Sequence, residues 1–107
     1  MLDVRSKLLK KLKPSDELEK CGTILASGRV LTSKNAAEFP AQSFEIPAVD
    51  MIVDGLVGTW HTHPGDSANL SHLDYAGFLN WPTLTHYIVG TDGVKSYIVD
   101  DGLVLQA

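Results

Sequence analysis

The chain has 107 residues, 44% hydrophobic and 21% charged, with one cysteine and a formal net charge of −4, which fits one domain around one core and excludes an internal disulfide. No apolar run approaches the ~20 residues of a membrane span, and residues 1–13 lack the apolar core of a signal peptide, so we expect no membrane span and a cytoplasmic location. Residues 1–13 carry Arg5, Lys7, Lys10, Lys11 and Lys13 against Asp3, a net +4 that leaves −8 for the rest; an acidic remainder with few aromatics argues against nucleic-acid binding.

In chain order, residues 2–12 are predicted as a basic amphipathic helix. Leu8, Leu9 and Leu12, with Leu2 or Arg5, form its apolar side and the lysines its wet face, and Lys13-Pro14 stops it. Ser15 or Asp16 can cap a short helical turn through Glu19. Residues 21–26 and 29–33 are strands, joined by a tight turn at Ser27-Gly28. Residues 35–43 form a loop, 44–46 a short extended piece and 48–53 a short helix ending near Asp54-Gly55. Residues 56–63 form a strand closed by Pro64-Gly65. A polar loop leads to Ser71, which can cap a helix over about residues 72–80. Leu73, Ala76, Gly77, Leu79 and Asn80 share helical spacing there, and Trp81-Pro82 ends it. Residues 85–89, 94–99 and 103–105 are strands joined at Thr91-Asp92-Gly93 and Asp100-Asp101-Gly102. A helix interrupts the hairpin series, so the expected fold is α/β: a mixed sheet flanked by helices, in a single domain spanning residues 1–107.

The chemistry concentrates in His61-Thr62-His63-Pro64 and Ser71-His72-Leu73-Asp74. Side chains alternate along a strand, so His61 and His63 share a face, roughly 7 Å apart along the backbone. Asp74, in the first turn of the next helix, can face back toward that strand end. Two imidazoles and a carboxylate are ligand types zinc takes, and three protein ligands leave a fourth position open for chemistry. Each half has a plainer reading. An H-x-H pair on a strand is often fortuitous, and Ser71-x-x-Asp74 is close to a capping box.

Together the motifs resemble the JAMM/MPN (JAB, Mov34) zinc metallopeptidases, which also carry an E-x-C-G segment, matched here by Glu19-Lys20-Cys21-Gly22. The resemblance covers about residues 17–99. It implies a cytidine-deaminase-like α-β-α arrangement in which one Zn2+ is held at the sheet edge by His61, His63 and Asp74. Glu19 then takes a proton from the attacking water and later passes it to the leaving amine, and Ser71 donates a hydrogen bond to the oxyanion. Thr62 stands where Ser is commoner in the family. A looser similarity, over residues 36–47, is to the JAMM-like domain of tailed-phage tail-assembly proteins.

Rival residues are few. Glu17, Glu38 and Glu45 are other carboxylates. His72 fits solvent, His86 a structural role and Cys21 burial rather than nucleophilic work. A zinc deaminase needs a P-C-x-x-C ligand pair, which one cysteine cannot supply. The expected function is zinc-dependent hydrolysis of a peptide or isopeptide bond. The partners are a protein or peptide substrate, including phage tail proteins or peptidoglycan peptides, with a virion location if the chain is phage-derived. The alternatives are a ubiquitin-like-protein deconjugating isopeptidase and a catalytically silent assembly module.

Overall fold

The computed structural model describes residues 3–107. Helix α1 (Val4–Leu9) begins at Asp3, whose carboxylate accepts from the Ser6 amide. It is shorter than the 2–12 helix expected, and the start of that span lies outside the described residues. Strands β1 (Cys21–Leu25) and β2 (Val30–Ser33) form the expected hairpin, with Gly28 at φ +92°. A single 3-10 turn (Ala48–Met51) takes the place of the helix at 48–53, and Gly55, at φ +77°, leads into β3 (Leu56–Thr62). Helix α2 (His72–Leu79) precedes β4 (Thr85–Gly90), β5 (Gly93–Asp100) and β6 (Leu103–Gln106). Asp101 and Gly102 both have positive φ and join β5 to β6, the backbone a two-residue D-G hairpin demands.

The six strands form one mixed sheet in the order β2-β1-β3-β4-β5-β6. Only β3 and β4 run parallel, because α2 carries the chain back between them. The pairing registers fix what each face presents. Gly22, Ile24, Trp60 and Val89 point to one side, where Leu8 of α1 completes a cluster. Ile88, Tyr97 and Val104 point to the other, where Phe78 of α2 and Ala68 pack on them. Trp60 lies so close over Gly22 that a Cβ there would stand 2.5 Å from the indole nitrogen, which donates to the Leu31 carbonyl at 2.9 Å. No helix among the described residues is long and apolar enough to cross a membrane.

Two local expectations change. The lysines of α1 are not simply wet: Lys7 donates to the Gly28 carbonyl and Lys11 to the Thr32 hydroxyl, while Arg5 reaches the Val94 carbonyl at 2.7 Å. Residues 15–19 form no helical turn. Asp16 closes a tight turn with Lys13, and the Glu19 and Lys20 amides are taken by the Pro40 carbonyl and the Thr62 hydroxyl.

Candidate metal centre

The site is built by strand register. Cys21 pairs with His61 across β1 and β3, and the Thr62 amide donates to the Lys20 carbonyl at 2.9 Å. Continuing that register sets Glu19 opposite His63, on the face His61 shares. The residues therefore meet at the ends of two central strands rather than at the lateral sheet edge. The loop after His63 returns across β4, where the His63 amide donates to Val89 and the Thr91 amide to Asp66. Gly90 permits this: a Cβ there would stand 2.2 Å from the Ala68 amide nitrogen and 2.4 Å from the Ser67 carbonyl carbon. The loop is part of the core, with Ala68 fully buried and its carbonyl accepting from the Tyr97 hydroxyl.

Helix α2 then delivers Asp74. Ser71 and Asp74 do form the capping box, the Asp74 amide donating to the Ser71 hydroxyl at 3.1 Å and the Ser71 amide to Asp74 Oδ2 at 3.2 Å. The same carboxylate lies against both histidines, with Oδ1 2.9 Å from His61 Nε2 and Oδ2 3.0 Å from His63 Nε2. The capping role therefore leaves the Asp74 carboxylate in contact with both imidazoles and does not exclude a ligand role. The helix buries Asp74 and Phe78, with Tyr75 partly covered, whereas Leu73, Ala76, Gly77, Leu79 and Asn80 are exposed. The apolar spacing read from the sequence marked the wrong side, because the inward side of this two-turn helix carries a charge.

His61 Nε2 and His63 Nε2 stand 3.1 Å apart. Two lone pairs cannot face each other at that distance without a proton or a cation between them. Ligand atoms around a tetrahedral ion with 2.0–2.1 Å bonds are spaced about 3.3 Å apart, close to the separations seen here. His63 Nδ1 donates to the Ser67 carbonyl at 2.8 Å, which leaves Nε2 as the nitrogen available to a metal ion. Glu19, His61 and His63 form a group able to hold a metal ion, each offering an atom within 4.8 Å of the others. Glu19 Oε1 and His61 Nδ1 are buried without a hydrogen-bond partner, the kind of unsatisfied atom that calls for an explanation. The donor set and spacing fit a divalent ion.

Electrostatics follow from burial. Burial pushes the Glu19 carboxyl up to about 7, with the His63 charge opposing and the Asp74 charge adding. For Asp74 burial also opposes ionisation, but hydrogen bonds and charges from both histidines outweigh it and hold the acid well below the usual range. Burial holds His61 below the ordinary imidazole value against the pull of Asp74. His63 is disfavoured as a cation by burial too, yet Asp74 and the Ser67 carbonyl raise it. Asp74 is thus favoured as the anion, and of the two imidazoles only His63 is shifted toward its cation.

The rivals separate cleanly. Glu17, Glu38 and Glu45 are exposed, as is His72. His86 is buried between the Thr59 hydroxyl at 2.6 Å and the Trp81 carbonyl at 3.0 Å and is stacked on Phe78; burial lowers its pKa to about 4. Cys21 is fully buried and its thiol is pushed up to about 11, which removes the thiolate a Cys-His peptidase needs. Beside Asp74 opens a cleft of about 360 Å3 that runs between Phe44, Met51, Leu73, Phe78 and Trp81. Phe44 is the residue the sequence reading missed: its ring stacks on His61 at 3.9 Å and 16°. The signal was the N-A-A…F-x-I stretch, Asn35-Ala36-Ala37 to Phe44-Glu45-Ile46, read there as loop and extended chain and for its looser similarity to phage tail-assembly proteins, with no role for the ring.

No protein-family model matches the chain, and no curated protein matches it.

Proposed function

We propose that this chain is a zinc-dependent amide hydrolase of the JAMM/MPN kind, cutting a peptide or isopeptide bond. The observation that carries the reading is the convergence of Glu19, His61, His63 and Asp74, with a Glu19 oxygen left buried and unpartnered. His61, His63 and Asp74 would hold the ion. Asp74 is preferred to Glu19 as third ligand because its oxygens already touch both Nε2 atoms, whereas Glu19 stands within 4.8 Å, the reach of one intervening water. Zinc, when bound, supplies Lewis acidity that lowers the pKa of water to about 7 and polarises a carbonyl.

The protein's own groups do the rest. Glu19, with a pKa near 7, can accept a proton from the attacking water at neutral pH and return it to the leaving amine. The Ser71 hydroxyl oxygen accepts from the Asp74 amide, so its hydrogen is free to point at the exposed side of the site. Donated to a developing oxyanion, that hydrogen bond contributes about 3 kcal/mol selectively to the transition state. The cleft beside Asp74 seats the acyl or side-chain portion of a peptide substrate. The similarity over residues 36–47 suggests that this peptide is a phage tail protein or a cell-wall peptide; a ubiquitin-like conjugate is the other source of the same bond. An assembly role draws support from one observation, the exposure of Val49 (68%) and Ile52 (82%) on the turn next to the cleft.

Metal analysis and peptide turnover test the reading together. The parent should take up one Zn2+, His61→Ala should not, and Glu19→Gln should keep the ion while losing hydrolysis of a peptide library. Equal zinc content in parent and His61→Ala would reject the metal centre. Zinc binding without turnover under any condition would leave the assembly module.

A further inference from the structure

His63 is oriented in the usual way for a ligating imidazole, by a hydrogen bond from its second nitrogen to the Ser67 carbonyl. His61 has no such partner: its Nδ1 is buried and unpaired. What touches the His61 ring instead is aromatic. Phe44 is stacked face to face at 3.9 Å, and Phe78 meets it edge-on at 6.0 Å and 63°. A phenyl face against an imidazole that gives up electron density through Nε2 is an attractive contact. It also fixes the plane of the ring.

Phe44 itself lies in a stretch with no helix or strand to hold it. The ring packs against the core cluster around Phe78, and its backbone is held by the Ala36 amide, which donates to the Glu45 carbonyl, and above all by the Asn35 side chain. Asn35 Nδ2 donates to the carbonyls of Glu19 at 2.9 Å and Ser43 at 3.0 Å. Asn35 Oδ1 accepts from the amides of Ala37 and Glu45, each at 3.0 Å. All four bonds that a side-chain amide can make are used, and two of them fall on the residues flanking Phe44. A third holds the backbone of Glu19. One amide therefore ties together the ring that orients His61 and the residue that supplies the carboxylate.

We propose that Asn35 and Phe44 are positioning residues of the metal centre: Phe44 substitutes by stacking for the hydrogen bond His61 lacks, and Asn35 holds that ring and Glu19 in register. The inference rests on the metal reading above and assigns a role to the N-A-A…F-x-I stretch, which the hydrolytic residues leave unused. Neither residue supplies a ligand atom.

Zn2+ affinity, measured by competition with a chromophoric chelator, and the visible spectrum of the Co2+ form test it without any substrate. Phe44→Leu, folded by circular dichroism, should bind Zn2+ some 10–100-fold more weakly, the range for lost ligand-orienting partners, and Phe44→Tyr should stay within about threefold of the parent. The Co2+ spectrum should change in Phe44→Leu and persist in Phe44→Tyr. Asn35→Asp keeps the two acceptor bonds and loses the two donor bonds; it should weaken metal binding although it lies away from the ligand atoms, and it serves as the test if Phe44→Leu does not fold. Parent-like affinity and spectrum in both Phe44→Leu and Asn35→Asp would overturn the proposal while leaving the metal centre intact. Equal losses in Phe44→Tyr and Phe44→Leu would overturn stacking as the cause. A parent protein that takes up neither metal would overturn the metal reading and this inference with it.

Discussion

Beneath α1 the sheet presents Gly22, Ile24, Trp60 and Val89, while beneath α2 it mixes the apolar Ile88, Tyr97 and Val104 with Glu19, Thr23, Thr59, His61 and His86. The two buried polar residues on the α1 side, Thr62 and Ser96, both have partners, the Lys20 amide and the Arg5 guanidinium. Among the described residues, the two buried side-chain atoms without partners, Glu19 Oε1 and His61 Nδ1, are both on the α2 side. Leaving such an atom unmade costs about 1–3 kcal/mol. One face is thus arranged for burial alone, and the other gives up stability to keep charged groups close together. Rules of sequence and structure are broken together where chemistry is expected.

The largest effect should come from the apolar face. Trp60→Ala removes the indole over Gly22 and its bond to Leu31, and should cost about 3–5 kcal/mol in urea unfolding while zinc content at low temperature stays unchanged. Loss of zinc in that variant while it remains folded would show that the faces are not separable.

Glu19→Gln should do the reverse and stabilise the chelator-treated protein at alkaline pH. The Glu19 pKa is raised from 4.5 to about 7, so the folded state binds this proton more tightly than the unfolded chain. Its contribution is fully present below about pH 4.5 and is lost as pH rises through 7, a change on the order of 3 kcal/mol. The difference between parent and variant stability across that window isolates the effect; identical pH profiles would refute it. Bound zinc should shrink the difference, since a cation favours the ionised carboxylate.

Gly90→Ala forces the Ser67-Ala68 backbone off β4 and should cost about 1–3 kcal/mol. Because the Ser67 carbonyl orients His63, Zn2+ affinity should fall as well. Unchanged affinity would mean that the loop's position does not matter to the centre. The smallest stability change is expected for Ser71→Ala, about 1 kcal/mol from the lost cap, with zinc retained and turnover reduced by about 100-fold or more if its hydroxyl serves the oxyanion.

Much of this was legible in the chain. H-x-H on a β-branched strand fixes a shared face, and D-G turns fix the last two hairpins' neighbourhood, so the six strands and a mixed sheet followed from local signals, whereas the parallel pairing of β3 with β4 came only with the structure. The convergence of Glu19 did not follow from spacing. It depends on the β1–β3 register, which joins residues 42 apart along the chain at Lys20 and Thr62. The inward side of α2 was misread because periodicity counts apolar residues, and here the helix turns Asp74 inward and leaves Leu73 lining the cleft and Leu79 exposed. The roles of Asn35 and Phe44, unlike the similarity of the stretch that holds them, were not legible for a related reason: an amide that organises a loop and a ring that stacks on a histidine leave no periodic trace.

The chain's two tryptophans fall on opposite sides of the sheet. Trp60 is sealed under α1, and Trp81, 42% exposed, stands at the mouth of the cleft. Intrinsic fluorescence therefore carries two separable signals, a blue emission that vanishes only when the interior opens and a redder one sensitive to whatever enters beside Asp74. With Trp60 left in place, a Trp81→Phe protein reports unfolding alone, and its difference from the parent gives a label-free titration of peptide entry.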